Sequence, residues 1–241
     1  LEKQPIIALD FASIHEVEQF LHQFDEPLYV KVGMELYLQN GPAVIEAIQK
    51  KNHKIFLDLK LHDIPTTVKK AMKGLASLGI DMVNVHAAGG KRMMEEAMEG
   101  LISGTSSADR AKLIAVTQLT STSLAMLHDE QKIPLSMDEA VLHYAGLAYD
   151  SGLDGVVCSS LESQRIHDEI SGEFLRVTPG IRLEGGNAHD QARISTPKQA
   201  FLNGASAIVV GRAITSSENP VKTYVRIKNE WESAWHEKAN R

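Results

Sequence analysis

Cysteine is nearly missing from this chain. Cys158 is its single representative, so no internal disulfide can form and a reducing compartment suits it. Within the apolar run "GVVCSS" it reads as a small buried hydrophobe rather than a reactive thiol. Long hydrophobic runs are missing too: no stretch approaches about 18 consecutive apolar residues, which argues against a membrane-spanning helix. The start, "LEKQPIIALDFAS", carries no signal-peptide pattern, and a cytoplasmic location is the expectation. A basic surplus is also absent. The 25 Lys and Arg face 31 Asp and Glu, a formal net charge of −6, which argues against a nucleic-acid surface. That balance leaves room for a local cluster binding one anionic metabolite. No G-x-G-x-x-G or P-loop pattern occurs, and "AAGGKRM" (87–93) has too few glycines for either. Linkers, repeats and low-complexity tracts are absent as well.

What is present is alternation. Short runs rich in β-branched residues recur at 5–10, 28–33, 54–60, 82–87, 112–119, 155–158, 175–180 and 207–211. Helical spacing fills the gaps, as in Ile14, Val17, Phe20, Leu21 and Phe24; further helices are predicted from Pro42, Pro65, Lys91, Met137, Leu161, Thr196 and Pro220. Strands alternating with helices predict parallel pairing through right-handed crossovers. Eight such units in 241 residues, 43% of them apolar, fit a closed (β/α)8 TIM barrel better than an open sheet. The expectation is one domain over residues 1–241. Two long polar loops, 120–136 and 181–195, suit lids.

The strand ends turn polar together: Asp10, Lys31, Asp58 with Lys60, His86, Thr120, Pro179 to Arg182, and Gly211 with Arg212. In a barrel these ends share one mouth, where barrel enzymes keep their active sites. In "FLDLKLHDIP" (56–65), a period of two sets Asp58 and Lys60 on one side and Leu57, Leu59 and Leu61 on the other. The leucines then face the helices and the charged pair faces the barrel axis. Buried opposite charges are a poor source of stability, which favours a functional reason for them. Plainer roles stay open elsewhere. Asp10 and Asp63 suit helix caps, Lys31 a snorkelling position, and His86 a satisfied core histidine. "AIVVGRAITSS" (207–217) offers a glycine at a strand end, an arginine and a short helix start, a combination suited to phosphate.

These residues resemble a known family. "LDLKLHDIP" matches the Asp-x-Lys-x-x-Asp signature of the orotidine 5′-monophosphate decarboxylase superfamily, and "VTPGIR" and "VVGRAI" match its phosphate-side motifs. The likeness runs from "IALD" to the last strand. The signature is shared with relatives that decarboxylate 3-keto-gulonate 6-phosphate or condense formaldehyde with ribulose 5-phosphate, which are similar in keeping an acidic residue at the second strand end to hold Mg²⁺. Here that strand reads "YVKVG", and the Lys31 ammonium would repel a metal.

The resemblance implies conversion of orotidine 5′-monophosphate to UMP and CO₂, the last step of pyrimidine nucleotide synthesis, with no metal or coenzyme. It implies a homodimer with composite sites, in which Asp63 and Thr67 come from the partner subunit. Asp58, Lys60, Lys31 and Asp63 would form an alternating charge network, with Lys60 protonating C6 of the pyrimidine. Asp10 and Lys31 would hold ribose hydroxyls, joined by Thr67, while Thr120 in "TQLTS" would meet the pyrimidine edge. Arg182, Gln191, Gly211 and Arg212 would surround the phosphate, with Pro179 shaping the wall. Three rivals remain: a metal-dependent sugar-phosphate lyase, a Schiff-base aldolase using Lys60 or Lys31, and a phosphate-ligand binding barrel without catalysis.

Overall fold

All eight expected strands form in the computed structural model, which describes residues 4–106, 109–183 and 195–239. They are β1 (Ile6–Leu9), β2 (Tyr29–Gly33), β3 (Lys54–Leu61), β4 (Met82–His86), β5 (Lys112–Val116), β6 (Gly155–Val157), β7 (Leu175–Thr178) and β8 (Ala207–Val210). Each pairs in parallel with the next, and β8 returns to β1 through Ile6–Val209 and Ile7–Val210, closing the barrel. The helices are α1 (Ile14–Leu21), α2 (Met34–Asn40), α3 (Ala43–Gln49), α4 (Pro65–Ala76), α5 (Lys91–Gly104), α6 (Met137–Asp150), α7 (Ser160–Glu169), α8 (Pro197–Leu202), α9 (Arg212–Thr215) and α10 (Pro220–Ala239). Among the described residues, no helix is long and apolar enough to cross a membrane.

The apolar runs are continuous because both faces of each strand are buried. Ile7, Leu9, Val30, Val32, Ile55 and Leu57 pack outward under the helices. Ile6, Ala8, Tyr29, Phe56, Met82, Ile114, Val177, Ala207 and Val209 fill the barrel interior. On α1 the expected stripe is buried at Val17, Phe20 and Leu21, and each such side chain contributes about 1.5–3 kcal/mol. Helix starts follow their local chemistry. Ser13 and Glu16 form a capping box on α1, Ser136 and Glu139 another on α6, and Pro65 and Pro197 open α4 and α8.

Three features depart from the expectation. Helix α2 is an addition to the expected set: it buries only Leu36 and so carries no apolar stripe to read. β5 stops at Val116, so Gln118 to Thr120 lie in the turn beyond it. The 120–136 loop contains a five-residue π turn, Met126–Glu130, pinned by the fully buried Leu127. In the second loop Ile181 bridges Ser195, and 184–194, including Gln191, lies outside the described residues.

Candidate active site

The inward-facing row of the barrel changes character toward the C-terminal ends of the strands. Below it lie apolar side chains; at the top come Asp10, Lys31, Asp58 and Lys60. Lys31 Nζ is 3.2 Å from Asp58 Oδ2 and 3.9 Å from Asp10 Oδ1. Lys60 Nζ donates to Asp58 Oδ1 at 2.7 Å. Asp58 is only 7% exposed and accepts a third side-chain donor, Asn84 Nδ2, at 2.6 Å. Burial alone would raise its pKa. The Lys31 and Lys60 ammonium groups, with hydrogen bonds from Lys60 and Asn84, overcome that and hold the carboxyl below its ordinary value.

The predicted pairing of Asp58 and Lys60 is present, but strict alternation is not its cause. The β3–β4 register breaks between Leu57 and Leu61, and Lys60 sits at φ 54°, in the left-handed region. A lysine held there is strained by about 1–2 kcal/mol. Glycine would relieve the backbone but remove the amine. Position 60 keeps the amine.

A cavity of about 260 Å³ opens over this network. Ala8, Phe56, Val116, Val157 and Val209 form its apolar floor. Asp10, Lys31, Asp58 and Lys60 make one wall; Pro179, Gly180, Arg182, Gly211 and Arg212 make the other. Gln118, Leu119 and Thr120 stand beside β5. The cavity therefore combines an acid–amine cluster, amide and hydroxyl groups, and two guanidinium groups. A ligand matched to it carries an anion at the guanidinium end and hydrogen-bonding groups along its length. Gly211 has a specific reason: a Cβ there would meet Asp10 Oδ2 at 3.0 Å and press that carboxylate out of its place by a few tenths of an ångström.

A family profile described as "Orotidine 5′-phosphate decarboxylase / HUMPS family" matches residues 3–227. The chain belongs to the orotidine 5′-phosphate decarboxylase / HUMPS family. Curated relatives bear this out. An orotidine 5′-phosphate decarboxylase of Listeria monocytogenes serotype 4a is 59% identical over 229 residues, covering 95% of this chain and 98% of the relative. One from Staphylococcus epidermidis is 60% identical over 227 residues, 94% of this chain and 97% of the relative. The solved orotidine 5′-phosphate decarboxylase of Lactobacillus acidophilus superposes with a TM-score of 0.86 at 45% identity, covering 95% of this chain and 99% of that one.

In this member of the orotidine 5′-phosphate decarboxylase / HUMPS family, the Asp-x-Lys-x-x-Asp signature splits in space. Asp58 and Lys60 line the cavity; Asp63 and Thr67 do not, and both are exposed. Helix capping does not account for Asp10 or Asp63. Ile64 is the N-cap of α4 and Ser13 that of α1, while Asp63 Oδ1 accepts its neighbour's N–H, from Ile64, at 2.6 Å. His86 is half-buried, its ring 5.6 Å from that of His62. Burial first, then His62 and Lys60, lower its pKa, so it stays neutral at physiological pH. Two residues outside the expected set join the site. Asn84 touches Asp58, and Gln118 lines the cavity while its Nε2 donates to Gln131 Oε1 at 3.0 Å, tying the 120–136 loop to the mouth. The sequence signal for Asn84 is a lone amide inside "MVNVH".

Proposed function

We propose that this chain decarboxylates orotidine 5′-monophosphate to UMP and CO₂, using the fixed Lys60 ammonium and no metal or coenzyme. The observation that carries the reading is the Lys31–Asp58–Lys60 array at the cavity wall, two half-buried amines on a buried carboxylate, in a chain of this family. Loss of the C6 carboxylate breaks the bond from C6 to the departing carbon and leaves its electron pair in the ring plane, away from the π system. Such a carbanion needs a positive charge beside it. At an effective dielectric of about 20, a charge about 4 Å away contributes roughly 4 kcal/mol. A charge already in place also avoids reorganisation during reaction. Lys60 then gives a proton to C6 and regains one from solvent.

Lys31 supports metal independence by its position. Its ammonium stands 3.2 Å from Asp58 Oδ2, where a divalent ion using that carboxylate would have to sit. Asp10 and Lys31 suit the ribose hydroxyls, Thr120 the pyrimidine edge, and Arg182, Gly211 and Arg212 the phosphate, with Pro179 as wall; Gln191 is assigned to the phosphate by family resemblance. Binding energy from the phosphate and ribose ends would then drive the reacting centre against Lys60.

The working unit in this reading is a two-fold homodimer. Asp63 and Thr67 are exposed, stand outside the cavity of their own chain, and flank Ile64, an apolar side chain 67% exposed. A partner's Asp63 would close the charge network from above, and its Thr67 would reach the ribose. Sedimentation showing an active monomer would refute the composite site. The activity itself is tested by following the orotate chromophore in EDTA. Rapid loss by the wild-type chain, abolished by Lys60→Ala, is the expected result; a requirement for added Mg²⁺ would overturn the cofactor-free reading.

A further inference from the structure

We infer that Asn84 is a positioning residue for Lys60, a role that rests on the decarboxylase reading above. Asn84 has no exposed surface and lies mid-strand in β4, where an apolar ladder has no use for an amide. Opposite it the ladder slips. Leu57 pairs with Val83 and Leu61 with Val85, so Asp58, Leu59 and Lys60 all stand against Asn84 alone. A bulge of this kind leaves backbone groups without ladder partners, and a buried N–H needs one. Asn84 Oδ1 supplies it, accepting Lys60 N–H at 2.8 Å. Its Nδ2 donates to Asp58 Oδ1 at 2.6 Å, the same oxygen that takes Lys60 Nζ at 2.7 Å.

One amide therefore grips both ends of a single residue. It holds the Lys60 backbone at φ 54° and, through Asp58, the ammonium. The two tasks need opposite capacities, an acceptor and a donor, on one short side chain. Asparagine has both; ionised aspartate accepts only, and alanine offers neither. Without the Oδ1 acceptor, the strained Lys60 backbone is free to relax out of the left-handed region, carrying Nζ away from Asp58.

Asn84→Asp is the informative substitution. Protonated, the introduced carboxyl would copy the amide: its O–H donates toward Asp58 and its C=O accepts Lys60 N–H. Ionised, it loses the donor and sets a second anion against Asp58. The charged and titratable groups around that position are Asp58 and Lys60 on β3, Lys31 behind them on β2, and His86 on β4 itself; β5 offers Ile114 opposite.

The experiment measures Asn84→Ala and Asn84→Asp beside the wild-type chain with orotidine 5′-monophosphate, and UMP affinity in parallel. For Asn84→Ala we expect kcat to fall about 100-fold, the scale of a small misplacement of a reacting group, with UMP affinity within about threefold. For Asn84→Asp we expect kcat relative to wild type to rise as pH is lowered from about 8 to about 5.5, as the carboxyl pair takes up its shared proton. A kcat within about threefold of wild type for Asn84→Ala overturns the role, since misplacement predicts far more. An equal loss of kcat and UMP affinity overturns it too. Should Asn84→Ala not fold, a pH-independent ratio for Asn84→Asp overturns it. Wild-type inactivity on the substrate would instead sink the decarboxylase reading. A crystal structure of either variant then still decides the positioning: Lys60 displaced from its left-handed conformation upholds it, and Lys60 unmoved overturns it.

Discussion

The two mouths of the barrel are both rich in charge, yet they use it differently. At the N-terminal mouth, Lys54, Asp81, Asp109, Arg110, Lys112 and Asp154 surround a cavity of about 830 Å³, larger than the one at the opposite end. There Asp81 and Asp154 each serve a strand backbone. Asp154 accepts Arg110 Nη1 at 2.5 Å and also Leu113 N–H at 2.8 Å, and Asp81 accepts Ile55 N–H at 2.8 Å. His53 belongs to the same scheme, its Nδ1 accepting Leu28 N–H at 2.9 Å. These groups finish the ladder where strands begin. At the C-terminal mouth, Asp58 takes its donors from three side chains, two of them amines that line the cavity. Neither the number of charges nor the size of the cavity marks the site; the destination of the hydrogen bonds does.

The contrast breaks if substitutions at the two ends behave alike. On the proposed function, in which Lys60 is both proton donor and fixed charge, Lys60→Ala should lower kcat on the order of 10⁴-fold, while Tm shifts by only a few degrees. Arg212→Ala should lower kcat/KM about 100-fold without touching the reacting atoms, again with little change in Tm. Asp154→Ala should do the reverse. It removes the carboxylate from Arg110 and leaves the Leu113 N–H without its acceptor, destabilising the fold by about 2–3 kcal/mol in urea titrations, with kcat/KM of the folded protein retained.

The smallest effect sharpens the comparison through pH. Burial first, then Lys51, lowers the His53 pKa below its ordinary value of 6.5. Folding therefore favours the neutral ring, whose Nδ1 is an acceptor. That contribution is complete above 6.5 and is lost as pH falls from there through the folded-state value. Urea midpoints measured across that interval should decline with acidity in the wild-type chain and less so in His53→Gln.

Much of this molecule is legible in its sequence because apolar runs and strand-end polarity are local signals. The eight strands and the meeting of Asp10, Lys31, Asp58, Arg182 and Arg212 follow from strand–helix alternation plus closure. What escapes is tertiary. The bulge at Lys60 arises from how β3 and β4 slip past one another, which no single strand encodes. Helix α2 fully buries Leu36 alone, with the adjacent Tyr37 packed partly against the core, and leaves no period. Asn84 is readable only as an oddity, since its meaning depends on what lies across the ladder. Asp63 and Thr67 stand exposed outside the cavity of their own chain, which the spacing of the signature does not reveal.

Gly211 and Asp10 lie close across the seam where β8 meets β1, so the pocket joins the earliest strand made to the latest. A nascent chain lacking residues beyond about 206 would hold its amines and acids with nothing to complete their enclosure. Competence for chemistry thus arrives together with ring closure, and turnover becomes a direct gauge of whether the cylinder has shut.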